Sequence, residues 1–283
     1  MNIARFAPSP TGLLHLGHAW SAVLGHSLAD EGGFLLRIED LDQVRSRPEY
    51  VAAIGEDLAW LGLEPARAPL LQSQRTAHYQ SALEQLRAQG LAYACFCTRA
   101  DIAAALAAPH GASAHYPGTC RVLPDDPARR SAEPHCWRLD SAAALARTGF
   151  PTWHEGGALY ATARAELDDI ILARKDAPAS YHLACVVDDA ASGVTLVVRG
   201  ADLRPSTPVQ RLLQILLGLP GPAYRHHRLV THADGRRLAK RDRAPTLAAL
   251  RAAGFDGRTL AADLLAADLQ PDRLPLGFGW AEA

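Results

Sequence analysis

Residues 3–38 constrain the fold more than any other stretch. Ile3-Ala4-Arg5-Phe6 reads as a brief buried strand, and Pro8-Ser9-Pro10-Thr11-Gly12-Leu13-Leu14-His15-Leu16-Gly17-His18 forms a turn dense in proline, glycine and histidine. Ala19, Val23, Leu24 and Leu28 then recur at helical spacing, which predicts a helix over about 17–30, and a second apolar run predicts a strand at 34–38. Strand, helix and strand joined this closely imply parallel strands with a crossover helix, and such sheets bind ligands at the carboxyl ends of their strands.

The turn sits at such an end. Gly12 and Gly17 let the backbone bend and approach a ligand, and the helix that follows points its free amides and positive dipole end back at the turn. His15 and His18 are three apart and share a helical face. Two imidazoles beside a helix N-terminus suit a developing phosphoryl charge. A lone HxxH usually only satisfies backbone groups, but here the whole segment fits one phosphate-handling design.

The alternation continues with helices at about 48–61 and 75–89 and a strand at 92–96, all assigned to the same parallel sheet. From about 97 to 180, Pro109, Pro117, Pro124, Pro127, Pro134, Pro151 and Pro178 punctuate short segments, the texture of an inserted subdomain. A buried strand resumes at 194–198, Thr207 is placed as the cap of a helix through 217, and Asp234-Gly235 marks the turn of a hairpin. Two short helices are expected at 246–253 and 259–267. The expected organisation is a first Rossmann half over 1–96, an insertion over 97–180, a second half over 181–222 and a C-terminal region over 223–283.

A net charge of −1 over 283 residues argues against a globally basic nucleic-acid binder, so any RNA contact must come from a local patch. The candidate is His226-His227-Arg228 with Arg236-Arg237 and Lys240-Arg241-Asp242-Arg243 around the hairpin; a solvated sheet edge is the alternative. No apolar stretch is long enough for a bilayer and no leader precedes the first strand, so a cytoplasmic protein without a membrane partner is expected. Five cysteines, an odd number, fit a reducing compartment. Cys95-Phe96-Cys97 followed by His110, His115, Tyr116 and Cys120 suggests a tetrahedral zinc site, with ordinary buried thiols as the alternative; Cys136 and Cys185 read as packing residues.

Four segments carry a resemblance. Arg5-Phe6-Ala7-Pro8-Ser9-Pro10-Thr11-Gly12, Leu36-Arg37-Ile38-Glu39-Asp40-Leu41-Asp42, Tyr181-His182-Leu183 and Val197-Val198-Arg199-Gly200-Ala201-Asp202-Leu203 resemble, in order, the glutamyl-tRNA synthetase family of class I aminoacyl-tRNA synthetases. The resemblance implies an α/β fold: a class I Rossmann-type parallel sheet with an inserted zinc-bearing subdomain and a short C-terminal helical region that contacts an RNA stem. It implies a glutamate pocket of Arg5, Phe6, Ala7, Pro8, Ser9, Glu39, Tyr181 and Arg199. Here the two arginines suit carboxylates and Glu39 suits the ammonium group. ATP, with Mg²⁺, would meet Gly17, His18 and Lys240, and catalysis would fall to His15, His18 and Lys240. The second signature is Arg237-Leu238-Ala239-Lys240-Arg241, in which Arg237 replaces a lysine and Ala239 a serine. Only two of the 29 Lys and Arg side chains are lysine, Lys175 and Lys240, which supports a specific role for Lys240. For zinc the resemblance implies Cys95, Cys97, Tyr116 and Cys120, although ligand chemistry alone favours His115 over Tyr116.

Synthetases of this family carry a helical anticodon-binding region beyond the second signature, for which the residues after Arg241 leave no room. The resemblance is therefore to a compact branch of the family. It implies a monomer that activates L-glutamate without tRNA and esterifies it to queuosine, the modified wobble base of tRNA(Asp). The alternatives are a shortened synthetase charging a tRNA 3′ end and a non-catalytic paralogue that binds tRNA.

Overall fold

A computed structural model describes residues 1–98, 100–102, 116–163, 167–232, 245–269 and 278–280. In chain order the strands are β1 (Ala4–Phe6), β2 (Phe34–Ile38), β3 (Leu70–Leu71), β4 (Ala92–Cys95), β5 (Cys136–Leu139), β6 (Thr152–Glu155), β7 (Ala158–Ala161), β8 (Ile171–Ala173), β9 (Leu196–Gly200), β10 (Ala223–His227), β11 (Val230–His232) and β12 (Phe278–Trp280). The main sheet runs β3-β2-β1-β9-β10-β6-β7. Its pairings are parallel except at the β6–β7 edge.

Alternation along the central strands sorts their side chains. Ala4, Phe6, Phe34, Leu36, Ile38 and Val198 enter one core, against helix α1 (Leu16–Leu28) and helix α2 (Pro48–Leu61). Trp20 of α1 is completely buried there, and burying an aromatic of that size contributes about 3 kcal/mol. The alternate positions Arg5, Arg37 and Arg199 are also buried, on the other face. Helix α2 starts with Pro48 in its first turn and stops at Gly62, whose φ of +75° ends it in the left-handed conformation. A second core joins helix α3 (Thr76–Ala88) to the helices Tyr181–Ala191 and Thr207–Leu216.

The structure departs from the sequence reading in several places. The strand after α3 leaves the parallel sheet: β4 pairs antiparallel with β5, and β5 with β8, in a separate three-stranded sheet. Its half-buried pattern suits such a sheet, whereas a central parallel strand is buried on both faces. Conversely, β6 and β7 of the insertion extend the main sheet. Strand β10 lies between β9 and β6, and β11 pairs with β12. The expected hairpin turn, Asp234-Gly235, lies outside the described residues. The resumed strand is Leu196–Gly200, and Thr207 is the first helical residue, after a Ser206 that makes no side-chain cap. His226 and His227 are inside the sheet, not on a basic surface: the His226 side chain is 2 % exposed and His227 is 4 % exposed. Among the described residues no helix is long and apolar enough to cross a membrane.

Candidate active site

Strand order reverses between β1 and β9, so the crevice outside their carboxyl ends is where this topology places a ligand. The proline turn leaves β1 and stays tied to β2: the Glu39 amide donates to the Pro8 carbonyl at 3.0 Å, and the Arg47 amide to that of Pro10 at 3.0 Å. Ser9 thereby stands beside Glu39.

The two histidines start helix α1. His15 is the extended N-cap residue, and its Nδ1 accepts from the Gly17 amide at 3.1 Å; His18 Nδ1 accepts from the His15 amide at 3.1 Å. This reciprocal capping satisfies two amides that a helix start leaves open. The rings lie 3.9 Å apart. Because each Nδ1 accepts, each neutral ring carries its proton on Nε2, which makes Nε2–H the donor. Gly17 suits this packing, since a Cβ there would lie 3.1 Å from the His15 ring and push it by a few tenths of an ångström. Thr246 pairs with His15, and the Leu247 amide donates to the Leu14 carbonyl at 2.8 Å. The chain therefore returns to the turn just after the second signature. Lys240 itself, with Arg236, Arg237 and Ala239, lies outside the described residues.

The buried arginines divide into two kinds. Arg5 Nε donates to Asp189 Oδ1 at 2.9 Å, and Arg37 Nη1 pairs with the same oxygen. Arg37 also holds Glu39 Oε1 at 3.0 Å and contacts Cys185 Sγ at 3.0 Å. Burial works to raise the Asp189 carboxyl, and the two guanidiniums overcome it and hold it below its ordinary range. Burial wins at Glu39, whose carboxyl is raised despite Arg37.

Arg199 is different. It is 4 % exposed, and it donates to Gln210 Oε1 at 2.7 Å, Thr207 Oγ1 at 2.8 Å, His226 Nε2 at 3.1 Å and the Tyr181 hydroxyl at 3.5 Å. His226 Nδ1 in turn faces Glu155 Oε1 at 2.9 Å. Burial, reinforced by the Arg199 charge, pushes the His226 imidazole down to about 4, so it is neutral near pH 7. Every partner of Arg199 among the described residues is thus uncharged, and none of those residues supplies its guanidinium with a counter-ion. A buried cation without one is costly, and an anionic ligand removes the cost.

A cleft of about 610 Å³ opens beside this network, lined by Ser9, Glu39, Gln72, Arg174, Ser180 and Tyr181 among others. The structure therefore brings Ser9, Glu39 and Tyr181 together, with Arg199 behind the Tyr181 hydroxyl. Arg5 is committed to Asp189. Phe6 faces the α1 core, Ala7 is half-buried, and Pro8 contributes its carbonyl to the turn. Sequence reasoning gave no pocket role to Arg37, Asp189, His226 or Glu155. Alternation on β2 and β10 was the available signal for Arg37 and His226; Asp189 and Glu155 come from distant elements and left none.

The cysteines converge at the end of β4. Cys95, Cys97 and Cys120 have sulfurs within 4.8 Å of one another, and the Tyr116 hydroxyl lies 3.3 Å from Cys95 Sγ and 3.4 Å from Cys97 Sγ. Cys97 Sγ and Cys120 Sγ are 3.5 Å apart. Such spacings suit four ligands at about 2.0–2.3 Å from one tetrahedral ion. This cluster could hold a metal. Cys136, opposite Cys95 in the β4–β5 register, turns its thiol to the Cys95 carbonyl; His115 lies outside the described residues.

Comparison with known proteins identifies the family. The family described as tRNA synthetases class I (E and Q), catalytic domain, matches residues 3–262. A Glutamyl-Q tRNA(Asp) synthetase of Rhodobacter capsulatus is 45 % identical over 267 residues, which cover 89 % of this chain and 95 % of that protein. One from Nocardia farcinica is 45 % identical over 289 residues, covering 96 % and 90 %. The crystal structure of glutamate-tRNA synthetase from Elizabethkingia anophelis superposes with a TM-score of 0.73 at 28 % identity, covering 86 % of this chain. The chain spans about half of that longer structure, 53 % of its length.

Proposed function

Because the chain belongs to the class I tRNA synthetases of the E and Q type, a family of ligases, we propose that it activates L-glutamate with ATP in the absence of tRNA and transfers the glutamyl group to queuosine at the wobble position of tRNA(Asp). The observation that carries the glutamate reading is Arg199, a buried guanidinium whose partners among the described residues are all neutral. The relatives named for the queuosine-directed reaction, covered over most of their length, support the choice of acceptor.

In the first step the glutamate carboxylate oxygen attacks the α-phosphorus of ATP, the bond to the bridging oxygen breaks, and pyrophosphate leaves. The Nε2–H groups of His15 and His18 would donate to phosphate oxygens as charge builds, a role their Nδ1 capping bonds support, and the helix N-terminus adds its dipole. Lys240 supplies a further cation; the return of the chain to His15 at Thr246 supports its proximity. Mg²⁺, when bound, would neutralise phosphate charge. Glu39, set by Arg37, receives the substrate ammonium, and Tyr181 and Ser9 close the cleft. Arg5 acts through Asp189, as support for the pocket wall. In the second step a hydroxyl of the queuosine cyclopentene ring attacks the activated carbonyl, loses its proton, and AMP departs. Positioning and electrostatics suffice, with no side-chain nucleophile.

Zinc would be held by Cys95, Cys97, Tyr116 and Cys120, where it would cross-link β4 to the 116–120 turn. The enzyme acts as a cytoplasmic monomer, organised as a Rossmann domain in two halves, 1–96 and 181–222, around an inserted subdomain, with 223–283 as the signature-loop region.

Two measurements test the proposal. Glutamate-dependent exchange of labelled pyrophosphate into ATP is expected without tRNA; exchange only after tRNA is added would point to an ordinary synthetase. Glutamate is expected on tRNA(Asp) only when it carries queuosine, and label recovered on the terminal adenosine would refute the transfer step.

A further inference from the structure

The arginine network opens a second cavity away from the glutamate cleft. It measures about 270 Å³ and lies against β2, β3 and the C-terminal end of the Tyr181–Ala191 helix. That is below the roughly 300–1,000 Å³ typical of sites for drug-sized ligands, so a small ion suits it and a nucleotide does not.

Four guanidinium-bearing side chains line it: Arg5, Arg37, Arg67 and Arg75. Asp189 pairs with Arg5 and Arg37, Glu39 with Arg37, and Asp188 with Arg75. Arg67 has no carboxylate partner among the described residues and donates to the Ser192 carbonyl at 2.8 Å. Four cations thus face three carboxylates, and the lining keeps an excess positive charge. Two N–H groups of these side chains are moreover buried without a partner among the described residues, Arg37 Nε and Arg75 Nη2. The Arg37 side chain is 4 % exposed, too enclosed for bulk water to compensate it.

We propose that this cavity binds a small phosphate-class oxyanion, held by Arg37 Nε, Arg75 Nη2 and the Arg67 guanidinium. Guanidinium forks match the oxygens of a tetrahedral anion, and the orphaned donors supply hydrogen bonds that no protein group provides. Entry is past Arg67, which is exposed. The site is coupled to the glutamate cleft, because the guanidinium it engages also holds Glu39 Oε1 at 3.0 Å.

Thermal unfolding of the full chain in inorganic phosphate, at constant ionic strength, tests this. A saturable rise in Tm of roughly 2–4 °C is expected when phosphate reaches about five times its Kd. Sulfate should substitute, and chloride should not. Arg67→Glu should abolish the rise, and Arg67→Gln, which can keep the bond to Ser192, should weaken phosphate binding about tenfold. Because the phosphate-handling turn could itself take phosphate, His18→Ala is the control and should retain the response. The proposal fails if no saturable rise occurs, if Arg67→Glu responds like the native chain, or if His18→Ala alone removes the response. None of these outcomes depends on glutamate activation, so failure here and failure of the proposed reaction are separately visible.

Discussion

Replacing Arg199 by Gln separates a substrate-binding arginine from a structural one. In an ion pair buried for structure, removing one partner leaves a stranded charge and costs about 3–5 kcal/mol of stability. Among the described residues Arg199 has no such partner: its contacts are Gln210, Thr207, His226 and Tyr181, each neutral. Gln at this position removes an uncompensated buried cation and loses hydrogen bonds worth about 1 kcal/mol each. The two effects oppose, so stability should change by less than about 2 kcal/mol. Catalysis should respond differently. Truncating a buried, hydrogen-bonded charge pair costs about 2–5 kcal/mol, so kcat/KM for glutamate should fall roughly 30- to 4,000-fold, expressed mainly in KM. Arg199→Lys keeps the charge but loses the fork and the contact with the Tyr224 ring, 5.4 Å away, and should fall between. Denaturant melts and glutamate-dependent pyrophosphate exchange measure the two quantities on the same preparations. A loss of 3–5 kcal/mol in stability with an unchanged glutamate KM would overturn the assignment.

Three further expectations follow the same physics. Asp189→Asn should destabilise the fold by about 3–5 kcal/mol, because it strands Arg5 and leaves Arg37 with Glu39 as its carboxylate partner, and an unchanged melt would contradict the network. His226, held near 4 in the fold against about 6.5 when unfolded, should contribute stability that is complete above pH 6.5 and lost as pH falls toward 4. Relative to His226→Gln, the native chain should lose on the order of 3 kcal/mol across that window, and parallel stability curves would refute it. Elemental analysis should find about one zinc per chain, and Cys97→Ser should lose it and lower the Tm; full activity and stability without metal would remove the assignment.

Legibility followed the range of the interactions. The β1–turn–α1 unit was readable because its determinants are local: apolar spacing, prolines, Gly17 and a histidine pair three apart. The cysteine cluster was readable as a spacing, although only folding brings the Tyr116 hydroxyl within 3.4 Å of two sulfurs. Strand membership was less readable. Periodicity marked 92–96 as a strand but carries no information about its partners, and these lie more than 40 residues on, at Cys136 in the β4–β5 register. The basic cluster at 226–228 misled for a related reason, since composition cannot distinguish a surface patch from the interior of a central strand.

By itself, then, the sequence determined the proline turn, the helix it caps and the parallel topology around them, because helix capping, strand alternation and glycine contacts act within a few residues. Tertiary structure alone decided how the arginines are paired. Arg5 and Arg199 look equivalent as strand-end guanidiniums, yet Asp189, 184 positions from Arg5, neutralises one, while a neutral His226 leaves the other charged. A side chain's electrostatic state depends on what surrounds it in space, and no local pattern encodes that.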